Sequence, residues 1–246
     1  MQIRTQTFCK KAFTIFVAVL FSACLHAGTP AFTFNLIAAD AIRPSPCAAA
    51  IVCSASGTIL MINDGKQTPL LLGSIPHKQE HIAQLHKTLW SAPNPQAPIL
   101  LVTLTEQWEC DISGLTDLLQ QNKQLVQCHY PTRDRTPPTF VDLLCAVQDV
   151  ETRDARAQTI CLVHCKYGRG RSALVVAAYL AHVLYSSGYE PVPKHIEAYL
   201  AARRPGVFLQ DNQRDALAYF CVALQKASSF EALCALYKGE MEERRK

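Results

Sequence analysis

The chain has 246 residues, of which 49% are hydrophobic and 18% charged, a length that suits one domain, or one domain with an extension, and its own core. Ordinary numbers of glycine (10) and proline (14) exclude collagen-like and low-complexity architectures, and a single continuously apolar stretch excludes a multi-spanning membrane protein. The formal net charge is +4, but three positive charges lie in residues 1–27, and the remaining body, at +1, is a poor candidate for nucleic-acid binding by bulk charge.

Residues 1–27 have the pattern of an export signal. An apolar run of 14 residues, from Ala12 to Leu25, is short for a membrane span and suits the core of a signal peptide. Ala27 offers a cleavage site, and Ser22-Ala23-Cys24 resembles a lipoprotein box. A cleaved signal, a lipoprotein, an uncleaved anchor and a buried helix remain open; the segment predicts a secreted, periplasmic or membrane-associated protein. The segment contains no acid and three basic residues, Arg4, Lys10 and Lys11.

Cysteine usage favours a different compartment. Nine of the eleven cysteines lie beyond residue 27, at irregular spacings without a Cys-x-x-Cys or zinc pattern. Most, including Cys145, Cys161 and Cys221, fall within apolar patterns and are predicted to be buried. This usage suits a reducing compartment, whereas export suits an oxidising one, and the sequence leaves both open.

Residues 28–55 are rich in alanine and proline and are interpreted as a linker or N-terminal arm, followed by a domain at 56–238 and a charged, frayed tail at 239–246. Within the domain, predicted strands alternate with predicted helices, which indicates an α/β fold with a largely parallel central sheet flanked by helices. The helix at 172–186 is apolar nearly all round and is therefore predicted to be central. Strands are predicted at 69–73, 98–104, 125–130 and 159–163, and helices at 80–89, 113–122, from 140, at 172–186, from 193, and finally around 217–224.

The chemistry is concentrated in the segment His164-Cys165-Lys166-Tyr167-Gly168-Arg169-Gly170-Arg171-Ser172, which joins a buried strand to the buried helix. Glycines at 168 and 170 allow positive φ angles and a tight turn, so the amides of residues 166–171 converge on one point. The helix N-terminus adds its positive dipole end there. The segment therefore predicts a cradle for a phosphate-sized anion.

Cys165 is predicted to lie at the floor of this cradle as the nucleophile. The amides and the helix dipole favour thiolate over thiol, which lowers the pKa of the cysteine and leaves it ready to attack phosphorus. The planar fork of Arg171 can make two parallel hydrogen bonds to phosphate oxygens. Ser172 can donate a hydrogen bond to the thiolate, and His164 is expected to hold the cysteine in place rather than act as a base.

The spacing of His-Cys, five residues and Arg-Ser resembles the signature of the protein tyrosine phosphatase superfamily, and the order of elements over residues 56–225 is similar. The resemblance implies a dual-specificity-like phosphatase fold and hydrolysis of phosphomonoesters through a phosphocysteine, without cofactor or metal. Cys165, Arg171 and Ser172 would then be catalytic, and substrate would bind the loop residues Lys166, Tyr167, Gly168, Arg169 and Gly170.

A leaving alkoxide or phenoxide needs a proton, so the reaction also requires an acid opposite the thiolate. In the dual-specificity branch this acid is an aspartate on an earlier loop, and Asp134, 31 residues before the cysteine, resembles it. A solvated turn aspartate between Arg133 and Arg135 is the competing interpretation. Asp111 is the fallback acid, although its place before a helix is typical of a cap or turn.

The stretch from Arg203 to Gln213 resembles a family segment in which an Arg-Pro turn before a helix supports the phosphate loop. Gln213 is a candidate for positioning water. Helix capping by Asp211 and Asn212 explains the cluster equally well.

The absence of a long Trp-Pro-Asp loop and the modest domain size favour the dual-specificity group. The resemblance of the motif to that group implies a phosphorylated protein as the substrate. Lys166, Arg169, Arg133 and Arg135 add a local basic ring that would favour highly anionic substrates. The loop also resembles mitochondrial-type phosphatidylglycerophosphate phosphatases and, less closely, tensin-like phosphoinositide phosphatases. An anionic phospholipid is therefore the alternative substrate, and residues 1–27 are the segment through which the protein would associate with a membrane.

Other classes fit the sequence less well. Non-catalytic phosphate-binding relatives typically lose the cysteine, the arginine or the acid, and all three candidates are present here. A rhodanese-like sulfur carrier would not need the Arg-Ser pair or an upstream acid. Low-molecular-weight phosphatases place the loop at the extreme N-terminus rather than at position 165.

Overall fold

The computed structural model describes residues 51–53, 57–62, 70–76, 78–83, 98–155 and 159–246. The export signal predicted at residues 1–27 and most of the linker predicted at 28–55 lie outside these ranges. Within the described residues, no helix is both long and apolar enough to cross a lipid bilayer.

In the part of the chain that the structure describes, a six-stranded sheet forms the centre of the fold, in the order β1-β2-β3-β6-β4-β5. The four strands β3, β6, β4 and β5 are parallel, while β1 and β2 form an antiparallel edge beside β3. The α/β class with a largely parallel sheet is therefore confirmed. The strands span Ile51–Cys53 (β1), Gly57–Ile62 (β2), Leu70–Ser74 (β3), Ile99–Thr103 (β4), Leu125–His129 (β5) and Ile160–Cys165 (β6).

Eight helices that the structure describes have the bounds Gln107–Ser113 (α1), Leu115–Gln121 (α2), Phe140–Glu151 (α3), Arg171–Ser186 (α4), Pro193–Arg203 (α5), Asp211–Ala227 (α6), Phe230–Leu236 (α7) and Lys238–Arg244 (α8). Residues 79–83 are also helical, and Thr152–Ala155 form a 3₁₀ turn. The helix predicted at 80–89 is thus seen in its first part, and its remainder lies outside the described residues.

Alternating side chains of the parallel strands pack into two hydrophobic cores on opposite faces of the sheet. Leu72, Val102 and Val163 face a core shared with α3 to α8, whereas Leu71, Leu101 and Leu162 face a smaller core shared with α1 and α2. Because both faces are covered, β3, β4 and β6 are buried at every position and mostly apolar. The central position predicted for α4 is confirmed, since most of its residues are buried.

The structure departs from the sequence predictions at three places. At the edge of the sheet, β1 lies within the linker predicted at 28–55, and β2 was not predicted. The helix predicted at 113–122 is seen as α2, whereas α1 was not predicted, and Gly114, with φ of 77°, separates the two. The helix around 217–224 is not the last one, and the tail predicted at 239–246 is wrong, because α8 is anchored by the buried Met241 and by two ion pairs to α3.

Candidate active site

The phosphate-sized cradle forms at the carboxyl edge of the parallel strands, where β6 ends at Cys165 and α4 begins at Arg171. Ligands of open α/β sheets bind at this edge. Gly168 has a φ of 67°, and a Cβ there would stand 2.2 Å from the carbonyl oxygen of Gly73, so only glycine fits. Gly170 has a φ of −119°, so the positive φ predicted at this position is wrong. Its glycine instead allows the close approach of Gln213, whose Oε1 would lie 3.1 Å from a Cβ.

The Cys165 thiol is buried at the bottom of the cradle, with 4% of the residue exposed. The Gly168 backbone N–H donates to Sγ at 3.2 Å, and the Ser172 hydroxyl donates at 3.3 Å. Burial opposes ionisation, but the hydrogen bond from the Ser172 hydroxyl, the backbone hydrogen bonds from Ser172 and Arg169, and the charge of Arg171 lower the pKa of Cys165 below its usual value. By contrast, burial raises the pKa of Cys110, Cys145, Cys221 and Cys234, which leaves Cys165 as the activated thiol of this group.

Arg171 is held rigidly by an acid that the sequence analysis did not single out. Its Nη1 and Nη2 donate to the two carboxylate oxygens of Glu109 at 2.5 and 3.0 Å, and Nη1 also donates to the carbonyl of Thr132 at 2.9 Å. Both side chains of the pair are almost completely buried. Because these bonds fix the rotamer of Arg171, its guanidinium is already oriented to bind a phosphate.

Glu109 belongs to α1 and closes a capping box with Glu106. That Glu-x-x-Glu pattern could have predicted the start of a helix, but it carries no signal for the contact with an arginine 62 positions away. Asp111, the fallback acid, accepts from Thr116 at 2.7 Å and from Gln107 at 2.9 Å. The interpretation of Asp111 as a cap or turn residue before a helix is wrong, because Asp111 lies inside α1 and bonds to side chains of α1 and α2.

Asp134 lies on the segment between β5 and α3, here called the acid loop (residues 131–138). Its carboxylate is 61% exposed, lines the pocket above Cys165, and has Oδ1 at 3.2 Å from Nη2 of Arg171. A turn closed by bonds from Thr136 to the Arg133 carbonyl shapes the loop tip. The structure therefore brings together Cys165, Arg171, Ser172 and Asp134, which are far apart in sequence.

Two buried side chains, Arg204 and Gln213, support the cradle and the acid loop respectively. Arg204 donates to the carbonyls of Gly168 at 2.6 Å and Tyr167 at 3.2 Å, as expected for the Arg-Pro turn. Gln213 accepts from the backbone N–H of Gln210 at 3.0 Å and donates to the Thr136 carbonyl at 3.1 Å, so it joins α6 to the acid loop.

Capping of α6 by Asp211 and Asn212 is wrong, because Gln210 is the N-cap and forms a capping box with Gln213. Asp211 pairs with Arg214 instead. The side chain of Asn212 donates to the Arg135 carbonyl at 3.2 Å. These bonds place the start of α6 against the acid loop.

His164 is fully buried, and its Nε2 lies 2.8 Å from the Thr103 hydroxyl, which agrees with a local holding role. Burial, with the nearby charges of His129 and Arg171, lowers the pKa of His164 to about 3. The ring is thus neutral near pH 7, and its low pKa makes it a weak base there.

The pocket over Cys165 has a volume of about 350 Å³. Tyr167, Arg169 and Gly170 line it as predicted. Gly168 packs against the Gly73 carbonyl instead, and Lys166 places its ammonium 5.3 Å from the Tyr167 ring centre. Of the two arginines beside Asp134, Arg135 lines the pocket. The complete lining is Asp134, Arg135, Cys165, Tyr167, Arg169, Gly170, Arg171, Gly206, Phe208, Gln210 and Gln213.

Comparison with known proteins agrees with this geometry. The sequence profile described as "Swiss Army Knife protein, DSP-PTPase phosphatase domain" (PTP-SAK) matches residues 67–204. The structure is similar to PTPMT1 in complex with PI(5)P, with 26% identity over 67% of this chain and 96% of that one and a TM-score of 0.52. It also has the fold of kinase associated phosphatase (KAP), with 19% identity over 70% and 98% of the chains and a TM-score of 0.53. No curated protein matches the sequence.

Proposed function

The chain belongs to the PTP-SAK family of DSP-PTPase phosphatase domains, a branch of the protein tyrosine phosphatase superfamily, and we propose that it hydrolyses phosphorylated proteins through a phosphocysteine on Cys165. Family membership makes it a phosphoric monoester hydrolase. The observation that supports the proposed route is the arrangement at the cradle: a buried thiol with a lowered pKa, beneath an arginine that also contacts an exposed carboxylate.

The first step of the proposed reaction forms a sulfur–phosphorus bond. The phosphate of the substrate sits on the loop amides and Arg171, and the Cys165 thiolate attacks phosphorus. As the bond from phosphorus to the ester oxygen breaks, Asp134 gives its proton to that oxygen, and the substrate leaves as an alcohol or phenol. The product of this step is the phosphocysteine.

The second step returns the enzyme to its starting state. The Asp134 carboxylate takes a proton from water, the water oxygen attacks phosphorus, and the sulfur–phosphorus bond breaks. Inorganic phosphate is released and the thiolate is restored. The hydrogen bonds from Ser172 and Gly168 stabilise the thiolate as it leaves.

Proteins are the preferred substrate because the mouth of the pocket carries two exposed aromatic rings. Tyr167 and Phe208 are 59% and 54% exposed and both line the pocket. Rings at such a mouth pack against a phosphotyrosine ring or an apolar peptide side chain.

An anionic phospholipid is the second candidate substrate, favoured by a different observation. Arg135 and Arg169 line the pocket in addition to Arg171, which provides positive charge for a second anionic group on the substrate. The similarity to PTPMT1, whose structure contains PI(5)P, supports this candidate.

Turnover of a panel of phosphopeptides, phosphoinositides and phosphatidylglycerophosphate, compared between the wild type and Arg135→Gln, distinguishes the two substrates. If proteins are the substrate, kcat/KM is highest for phosphopeptides and the variant changes it little. If kcat/KM is instead highest for a lipid, and Arg135→Gln lowers it about tenfold because one arginine contact is lost, the preference for proteins is overturned and the second candidate is established.

Replacing Asp134 by asparagine is expected to lower kcat/KM on phosphate esters with poor leaving groups by about 10²-fold, because the leaving oxygen loses its proton donor. On p-nitrophenyl phosphate, whose leaving group needs little protonation, the loss should be much smaller. A series of aryl phosphates measures this dependence.

Asp111→Asn is the matched control for this prediction, since it removes an acid of the same type that is engaged by Thr116 and Gln107. It should leave the dependence on leaving group unchanged. Equal losses on good and poor leaving groups in Asp134→Asn would contradict its assignment as the acid.

A further inference from the structure

Two buried carboxylates on α3 connect the acid loop to the C-terminal helix. Asp142 and Asp149 are 4% and 3% exposed. One oxygen of Asp142 accepts from the Thr139 hydroxyl at 2.8 Å, and the other accepts from Nε of Arg244. A carboxylate so deeply buried is stabilised only by such charged and hydrogen-bonded partners.

Asp149, farther along α3, makes the same kind of connection to Tyr130, which lies one residue before the other end of the loop. Its Oδ2 accepts from the Tyr130 hydroxyl at 2.6 Å, and its Oδ1 accepts from Nη2 of Arg245 at 3.1 Å. Tyr130 and Thr139 immediately flank the acid loop. Each end of the loop is therefore bonded to a carboxylate that is paired with an arginine at the end of α8 or immediately after it.

The middle of the loop is bonded to the reaction centre instead. The Thr132 carbonyl accepts from Arg171, and Asp134 lies 3.2 Å from the same guanidinium. A shift at either end of so short a segment moves Asp134 relative to Cys165. A displacement of about 1 Å in a reacting group can cost about 10²-fold in rate.

The C-terminal helix is seated well enough to transmit such a constraint. Met241 is buried, and the ring of Tyr237, which precedes α8, packs at 5.3 Å from the ring of Phe140, the first residue of α3. The side chains of Arg244 and Arg245 are 39% and 44% exposed, so their stems reach over the surface while their charged ends meet the buried carboxylates. All of α8 lies beyond the residues matched by the family profile.

We propose that Arg244 and Arg245 are positioning residues that, through Asp142 and Asp149, hold the acid loop where Asp134 can protonate the leaving group. This inference rests on the proposed function, because it requires Asp134 to be the acid. It gives the charged C-terminus a part in the reaction that its sequence pattern does not suggest.

The test compares Arg244→Gln/Arg245→Gln with the wild type on a series of aryl phosphates of increasing leaving-group pKa. The expected result is a loss of about tenfold in kcat/KM on the poorest leaving groups, with little change on p-nitrophenyl phosphate, and therefore a steeper dependence on leaving-group pKa. Arg244→Lys/Arg245→Lys, which keeps both charges, should restore part of the loss. A purely structural role would lower the melting temperature without changing this dependence.

The matched control is Lys238→Gln/Lys246→Gln, which removes the same charge from residues whose side chains are exposed at the two ends of the same segment. It should behave as the wild type. Tyr130→Phe removes one bond to the loop end without changing α8, so it tests the positioning role even if the double arginine variant does not fold. It should also steepen the dependence of kcat/KM on leaving-group pKa. An unchanged dependence in a folded arginine variant, or in Tyr130→Phe, would overturn the inference.

Asp134→Asn in the same series separates this inference from the proposed function. If Asp134→Asn steepens the dependence and the arginine variant does not, only the positioning role is wrong. If Asp134→Asn leaves the dependence unchanged, the assignment of the acid is wrong, and the positioning role is wrong with it.

Discussion

Replacing Cys165 by serine is expected to lower turnover of p-nitrophenyl phosphate by about four orders of magnitude or more, because the hydroxyl is not ionised where the thiol is. Binding of inorganic phosphate, measured by calorimetry, should be retained. The loop amides and Arg171 that contact the anion are unchanged, and the Ser172 hydroxyl that bonds to Sγ is still present.

Cys128→Ser provides the matched control, because Cys128 is a partly buried cysteine on β5 outside the phosphate loop. It should keep full turnover. Substantial turnover by Cys165→Ser, in a preparation free of wild-type enzyme, would contradict the assignment of the nucleophile.

Replacing Arg171 by lysine should lower kcat/KM by about 10²–10³-fold on every substrate, good and poor leaving groups alike. A lysine ammonium is a point charge and cannot bond both oxygens of Glu109 while presenting a planar fork to phosphate. The loss should therefore differ in kind from that of Asp134→Asn, which depends on the leaving group.

Arg169→Lys is the control for this substitution, since Arg169 lies at the exposed rim of the same pocket and is expected to tolerate a point charge. The melting temperatures of both variants show whether loss of the buried ion pair with Glu109 has destabilised the fold. A folded Arg171→Lys that keeps more than a tenth of wild-type kcat/KM would contradict the bidentate role.

Local patterns predicted much of the fold because the elements that carry the site are strongly apolar. The predicted strands ending near Thr103 and Cys165 are both buried, and their continuous apolar character follows from packing on both faces of the sheet. The spacing from Cys165 to Ser172 placed the phosphate loop because its chemistry depends on consecutive residues. The resemblance to the aspartate loop of the dual-specificity branch indicates Asp134, and the structure places it beside Arg171.

The remaining contacts depend on residues that are distant in sequence, and no local pattern reports them. Glu109 meets Arg171 across 62 positions, and Arg244 meets Asp142 across 102. The charged C-terminus was expected to fray because its composition is that of a solvated segment, whereas its arginines pair with carboxylates buried on α3. α1, with seven residues, is too short for helical periodicity to predict, and Gly114 separates it from α2.

The most direct test of the proposed mechanism is to trap the covalent intermediate. The Asp134→Asn variant is used because it slows both steps. It is mixed with p-nitrophenyl phosphate, for which the first step needs little acid, and the reaction is quenched in acid within the first turnover. Peptide mass spectrometry should then find one phosphoryl group, attached to Cys165. Repeated quenches across the first turnover that find no phosphoryl group on Cys165, while p-nitrophenol is released, would contradict the account.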